Sequence, residues 1–195
     1  SYLRFVRGII DSEDLPLNVS REILQQNRIL DNIRTSSVKK LLSEFKKMGE
    51  ASDKAKKVEE ANRSDEQKNA IEKWNKFVTS YNRPMKEGLY SDYANRDEIA
   101  EIVRFKSSDA SGTGDNNWTS FADYVQRMKP EQKAIYYITG NDEKNLRDNP
   151  LLKAYTNKGF EVLIMADDID DIVIPSYGKY KDFELKAVNR AGSDE

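Results

Sequence analysis

An arginine and a glutamine four residues apart could act together on a phosphate. Arg21 and Gln25 lie in LPLNVSREILQQNRIL (residues 15–30), where a proline-containing loop leads into a predicted helix. Residues at i and i+4 share a helix face. A planar guanidinium suits phosphate, and an arginine at a nucleotide's terminal phosphate stabilises transition-state charge during hydrolysis. A glutamine beside it could orient a water molecule or hydrogen-bond the same phosphate.

The position of Arg21 also admits a simpler interpretation. Asn18 or Ser20 is the predicted cap of the helix, so Arg21 lies at the end that carries partial positive charge. A cation there is disfavoured by roughly 0.3–1 kcal/mol, whereas anions are favoured. Arg21 is therefore either a surface arginine whose field Glu22 softens, or a cation presented to an anion that another domain brings. The residue types alone leave both interpretations open.

The composition excludes several classes of site. The 195 residues include no cysteine and no histidine, which excludes disulfide scaffolds, zinc fingers, serine–histidine–aspartate triads and histidine-ligated metals. With 32 basic and 34 acidic residues the net charge is -2, which argues against nucleic acid as a partner. No apolar run approaches the length of a membrane span. The lack of cysteine fits a reducing compartment, and we expect a cytoplasmic protein.

Three further patterns have both a functional and a structural interpretation. The GxG in SGTGDNN (111–117) lacks the rest of a phosphate-binding fingerprint, so a flexible turn is favoured. The four aspartates of DDIDD (167–171) follow a predicted strand and offer oxygen ligands for magnesium or calcium, but an exposed acidic loop is the favoured interpretation and we predict no metal site. Trp74 and Trp118 could face a partner, although aromatic residues at regular spacing usually belong to the core.

The first half of the chain is predicted to be mainly helical. Residues 2–10 have the β-branched and aromatic composition of a strand. A long amphipathic helix follows and is expected to end near Gly49. Residues 50–68 are highly charged and predict a solvated, partly helical connection, and the next segment predicts shorter helices separated at Pro84 and Gly88.

The second half has the pattern of a small α/β unit. KAIYYITG (133–140) and FEVLIMAD (160–167) are typical of strands, and the segment between them predicts a helix that ends at Gly159. A helix-sized crossover between two strands indicates a parallel βαβ unit. A short helical turn broken at Pro175 and a possible third strand at 181–189 follow. The fold class is therefore α/β: a strand plus long helix, a helical connector, and a small βαβ-containing unit.

The sequence resembles the middle domain of the ninety-kilodalton heat-shock chaperone family, and in particular its bacterial branch. The most specific match is SEDLPLNVSRE with the LQQN that follows (12–27), and weaker matches such as KEGLYSD and YVQRMKPEQKAIYYITG extend over the chain. The resemblance implies an ATP-dependent chaperone of the heat-shock and stress response that binds unfolded proteins. It implies that Arg21 contacts the ATP γ-phosphate, that Gln25 assists, and that Asn18 and Ser20 shape the loop.

The resemblance also implies how the chain is organised and what it works with. Residues 1–50 match the rear of the large middle-domain unit with the catalytic loop, 51–108 a helical connector, and 109–195 the small α/β subdomain. The implied partners are an amino-terminal domain that binds ATP with magnesium, a carboxyl-terminal domain that forms a homodimer, and client proteins. Since those domains are absent from this sequence, we expect the chain alone to be inactive as an ATPase. The alternative is a non-enzymatic α/β interaction module with no nucleotide role.

Overall fold

The computed structural model describes residues 1–9 and 28–190. Within these ranges seven α-helices and five strands follow one another with short connections. The helices are α1 (Arg28–Lys56), α2 (Asp65–Ser91), α3 (Arg96–Ala100), α4 (Phe121–Arg127), α5 (Glu143–Arg147), α6 (Pro150–Asn157) and α7 (Asp170–Tyr177). The strands are β1 (Lys106–Ser107), β2 (Ala134–Thr139), β3 (Val162–Met165), β4 (Lys179–Tyr180) and β5 (Phe183–Ala187).

The five strands form one mixed sheet in the order β1-β3-β2-β5-β4. The central strand β2 pairs in parallel with β3 on one side, where Tyr137 lies opposite Leu163, and with β5 on the other. The edge strands β1 and β4 are antiparallel to their neighbours. The predicted βαβ unit, the possible third strand and the α/β fold class are therefore confirmed. The almost continuous apolar sequence of β2 and β3 fits strands that are covered on both faces.

Local sequence signals set the starts of the helices. Ser64 and Gln67 form a reciprocal capping box at α2, and Ser120 accepts a hydrogen bond from the Asp123 amide at α4. Asn149 caps α6, and Pro150 occupies its first turn. In each case a side chain satisfies amides that would otherwise lack a partner.

The predicted end of the long helix near Gly49 is wrong, because α1 continues to Lys56. A Cβ at Gly49 would lie 2.6 Å from Nη2 of Arg104 and 2.9 Å from the Trp74 ring. Gly49 is therefore required for close packing and does not terminate the helix. Arg63 caps the end of the helix, since its Nε donates to the carbonyls of Ala55 and Val58. The connection before α2 is therefore much shorter than predicted.

The predicted break at Pro84 and Gly88 is also wrong, since α2 runs without interruption through both residues. Trp74, Phe77, Val78, Met85 and Leu89 form one buried face along this helix. Burial of five large apolar side chains, each worth about 1.5–3 kcal/mol, outweighs the roughly 3 kcal/mol penalty of an interior proline. At Gly88 a Cβ would come within 2.9 Å of the Tyr2 ring, so this glycine also permits close contact. Similarly, α7 continues past Pro175 and ends before Gly178, whose φ is 74°.

The amino-terminal strand predicted for residues 2–10 is absent from the part that the structure describes, residues 1–9. Residues 2–5 form a turn. Tyr2 is buried and donates a hydrogen bond from its hydroxyl to Asp92 at 2.6 Å, and Phe5 stacks on Tyr81 with the ring centroids 4.1 Å apart. The aromatic residues that suggested a strand are used instead to pack this segment against α2.

The core consists of two groups of buried residues. The larger joins α1 and α2 to one face of the sheet, and the smaller lies under α5 and α6, with Leu146, Leu152 and Ile164 among its members. No helix within the described ranges is long and apolar enough to cross a membrane. The subdomain boundaries at 50/51 and 108/109 stay a prediction.

Candidate functional site

The four residues predicted to act on a nucleotide, Arg21, Gln25, Asn18 and Ser20, lie outside the described residues. Their roles therefore stay predictions. The structure does describe the segments on either side of residues 10–27, which are the amino-terminal turn and helix α1.

Those two segments are packed against each other and against α2. The Phe5 ring lies 6.1 Å from that of Phe45 on α1 and 4.1 Å from that of Tyr81 on α2. Phe45 in turn lies 4.7 Å from Phe77. Residues 1–9 and helix α1, which precede and follow the predicted catalytic loop in the sequence, therefore share one aromatic cluster with α2.

A buried arginine joins the other end of α1 to the sheet. Arg104 is only 2% exposed, and its Nη2 donates to Asp53 of α1 at 3.0 Å. Its Nη1 donates to three main-chain carbonyls of residues 101–103, and its guanidinium lies 4.9 Å from the Trp74 ring centroid. Burial raises the pKa of the Asp53 carboxyl, and Arg104 offsets part of that rise. This ionic and cation–π cluster therefore links the end of α1 to the segment that leads into β1.

The aspartates of DDIDD are paired with basic side chains. Lys86 of α2 is 4% exposed and places its Nζ 2.6 Å from Asp167 and 3.0 Å from Asp170. Asp168 pairs with Arg83, and Asp171 pairs with Arg190. Asp170 is fully buried, so the interpretation of this segment as an exposed acidic loop is wrong for that residue. Burial raises the pKa of the Asp170 carboxyl, and Lys86 opposes the rise.

The ion pairs of Arg83 and Lys86 clamp α2 to the start of α7. Across residues 1–9 and 28–190, no three acidic side chains come together in a group that could hold a metal ion. The sequence analysis missed Lys86 as the partner of this cluster. The available signal was a lysine directly after Met85 on the apolar face of an amphipathic helix, where only a paired charge is expected.

The remaining candidates prove to be mainly structural. Trp74 is 1% exposed and stacks on Phe77, so it belongs to the core. Trp118 is half-buried, with the Nζ atoms of Lys56 and Lys106 at 5.6 and 5.1 Å from its ring centroid. The GxG segment forms a turn, in which a Cβ at Gly112 would lie 2.5 Å from the amide nitrogen of residue 107.

Comparisons with known proteins agree over the whole chain. The model of the family described as Hsp90 protein matches residues 1–194. The "Chaperone protein HtpG" of Treponema denticola is 64% identical over 195 residues, which cover 100% of this chain and 28% of that protein. The protein of the same name from Treponema pallidum is 57% identical over 194 residues, 100% of this chain and 27% of that protein.

A solved structure extends the similarity to the fold. The middle domain of a Plasmodium falciparum heat shock protein superposes with a TM-score of 0.67 at 28% sequence identity, covering 85% of this chain and 61% of that chain. The chain spans a little over a quarter of the length of the curated relatives described above.

Proposed function

Because the chain belongs to the Hsp90 protein family, we propose that it acts as the middle-domain segment of an ATP-dependent chaperone. In this proposal Arg21 contacts the γ-phosphate of ATP, Gln25 assists it, and Asn18 and Ser20 shape the loop that presents them. The observation that carries the proposal is the family match over residues 1–194, which includes the whole NVSREILQ segment. ATP, with its magnesium ion, is held mainly by a separate domain.

In this proposal Arg21 gains its anionic partner only when the nucleotide domain brings ATP to the loop. The sequence predicts Arg21 at the start of a helix, where a guanidinium has unfavourable electrostatics on its own, and a triphosphate brought to it would reverse the sign of the interaction. An arginine delivered to a transferring phosphoryl group stabilises its developing charge. Hydrolysis is then gated by docking of the nucleotide domain onto this loop.

The proposed partners are the amino-terminal nucleotide domain, a carboxyl-terminal domain that makes the whole protein a homodimer, and unfolded client proteins in the cytoplasm. Exposed large apolar side chains are the surfaces that clients would contact. Tyr90, Tyr93 and Ile172 are 61%, 81% and 63% exposed, which makes them the first candidates for substitution in a client-binding assay.

The experiment compares Arg21→Ala and Gln25→Ala in the full-length chaperone with the matched control Arg28→Ala, an exposed arginine on α1. Steady-state ATP turnover and ATP affinity are measured for each variant. We expect Arg21→Ala to lower turnover at least about tenfold, since an arginine that stabilises phosphoryl transfer contributes to the chemical step, with ATP affinity within about twofold of wild type. Gln25→Ala should lower turnover less, and Arg28→Ala should leave it unchanged.

The outcome also separates the two functional classes. Unchanged turnover together with unchanged ATP affinity in Arg21→Ala would favour the alternative, a non-enzymatic α/β interaction module. A lower ATP affinity with unchanged turnover at saturating ATP would show that Arg21 binds ATP but does not act on the chemical step.

A further inference from the structure

A cavity of about 520 Å³ lies between the end of α1, α2 and α4. Four cations contribute to its wall, namely Lys56, Lys57, Arg63 and Arg127, against the two carboxylates of Asp53 and Asp123. Its size is that of a small-molecule site. Arg127 is paired with Glu161, and Asp53 is paired with Arg104. The remaining excess of positive charge attracts small anions, most strongly at low ionic strength.

Lys56 is held within this wall by two contacts. Its Nζ donates a hydrogen bond to the main-chain carbonyl of Asn116 at 2.9 Å and lies 5.6 Å from the centre of the Trp118 ring. An amine that is fixed in place and borders a cavity is presented to whatever enters the cavity, unlike a lysine that moves freely in solvent.

Burial and the neighbouring cations disfavour the charged form of Lys56, although its hydrogen bond and its contact with the Trp118 ring favour that form. Burial lowers the pKa of the Lys56 ammonium, and Arg104, Arg63 and Lys106 lower it further, whereas Asp53 acts in the opposite direction. The other charged groups in the cavity wall are Lys57, Arg127 and Asp123. A larger fraction of Lys56 is therefore the neutral, nucleophilic amine near neutral pH than for an ordinary lysine.

We propose that Lys56 is an acylation site, modified by small acyl phosphates that the cationic cavity recruits. The neutral Nζ attacks the carbonyl carbon of the acyl phosphate, and a nitrogen–carbon bond forms. The bond from that carbon to the phosphate oxygen breaks, inorganic phosphate leaves with the electron pair, and the nitrogen loses one proton to water. The product is a neutral amide, which removes one positive charge from the cluster around Arg104.

Two lysines serve as internal controls. Lys57 lines the same cavity, so it shares the recruitment of anions, but its side chain is 64% exposed. Lys47 lies on α1 outside the cavity, with a side chain that is 67% exposed. Comparison with Lys57 isolates the effect of an amine that is fixed and partly buried, and comparison with Lys47 adds the effect of the cavity charge.

The test treats the full-length protein with acetyl phosphate at about pH 7.5 and quantifies each acetyl-lysine by mass spectrometry at low conversion. We expect Lys56 to be acetylated at least about threefold faster than Lys57 and Lys47, because every unit by which an amine's pKa falls raises its neutral fraction tenfold. Inorganic phosphate should compete at Lys56 and not at Lys47. A neutral donor, N-acetoxysuccinimide, should show a smaller preference for Lys56 over Lys47.

The pH dependence provides a second readout. The preference for Lys56 over Lys47 should shrink as the pH rises well above neutrality, since a lowered pKa gives Lys56 no advantage once an ordinary lysine amine is neutral as well. Acetylation of Lys56 that is no faster than that of Lys47, or a preference that stays constant with pH, would overturn the proposal. Insensitivity of Lys56 to phosphate would overturn the recruitment step.

Discussion

Replacement of Gly49 by alanine tests the packing that links α1 to the sheet. In an exposed helix interior, glycine to alanine stabilises by about 1 kcal/mol. At Gly49 the new Cβ would lie 2.6 Å from Nη2 of Arg104 and 2.9 Å from Trp74. Overpacking of a tight core costs about 1–3 kcal/mol, and any displacement of Arg104 also weakens its contact with Asp53, which is 3.0 Å long. Losing about 1 kcal/mol of this charged hydrogen bond, which is worth about 1.5–3 kcal/mol in total, offsets the gain in helix propensity, so we expect a net destabilisation of about 1–3 kcal/mol.

The assay is urea unfolding monitored by tryptophan fluorescence, because the Trp74 ring packs against the substituted position. The melting temperature should also fall by roughly 2–10 °C for a chain of this length. Glu50→Ala, the next and exposed residue of the same helix, is the control and should change stability by less than about 0.5 kcal/mol. A Gly49→Ala variant as stable as wild type, or more stable, would refute the assignment of Gly49 to a close contact.

Three further predictions concern stability and pH. Tyr124→Phe should lower the free energy of unfolding, measured in urea, by about 1–3 kcal/mol. The Tyr124 hydroxyl donates to the Glu161 carbonyl at 2.6 Å and accepts from the Tyr136 amide at 3.0 Å, and both contacts would be lost. Lys86→Met should lower the free energy of unfolding by about 3–5 kcal/mol, since it leaves the buried Asp170 without its cation. The exposed control Lys76→Met should lower it by less than about 1 kcal/mol. Equal losses in the two variants would contradict the buried ion pair. Burial raises the pKa of Tyr177 to about 12, with Asp97 and Glu101 adding to the rise, so the folded state keeps this proton longer than the unfolded state. The stability that Tyr177 contributes is therefore complete below about pH 10 and is lost as the pH rises towards 12. Between these pH values the free energy of unfolding of Tyr177→Phe should fall less steeply than that of the wild type, measured by alkaline unfolding.

Much of the sheet could be predicted because its signals are local. The apolar runs of β2 and β3 fit strands buried on both faces, and the helix-sized segment between them required a parallel crossover. The caps at Ser64 and Ser120 have equally local signals, since each side chain accepts a hydrogen bond from an amide three residues further along the chain.

The errors came from contacts between residues distant in sequence. Glycine is common just after the end of a helix, which is why a helix end was predicted at Gly49. The space at Gly49 is in fact limited by Arg104, 55 positions later (104 minus 49). Pro84 suggested a break, but the buried face from Trp74 to Leu89 keeps α2 continuous. The aromatic residues of 2–5 suggested a strand and instead pack on Tyr81 and Asp92. No periodicity within one segment carries this information.

The candidate site divides in the same way. Local chemistry made Arg21 and Gln25 a pair suited to phosphate, and the family resemblance supplied the nucleotide. Lys86 was missed because its partners, Asp167 and Asp170, lie more than 80 positions away. Lys56 was missed because its cavity forms only when α1, α2 and α4 are assembled.

The most direct test of the central claim is the ATP turnover number of the full-length chaperone with Arg21→Ala, measured at saturating ATP beside Arg28→Ala. The proposal predicts a fall of at least about tenfold for Arg21→Ala, with wild-type turnover for Arg28→Ala and near-normal ATP affinity for both. Wild-type turnover in the Arg21→Ala protein would contradict the assignment of Arg21 to the γ-phosphate.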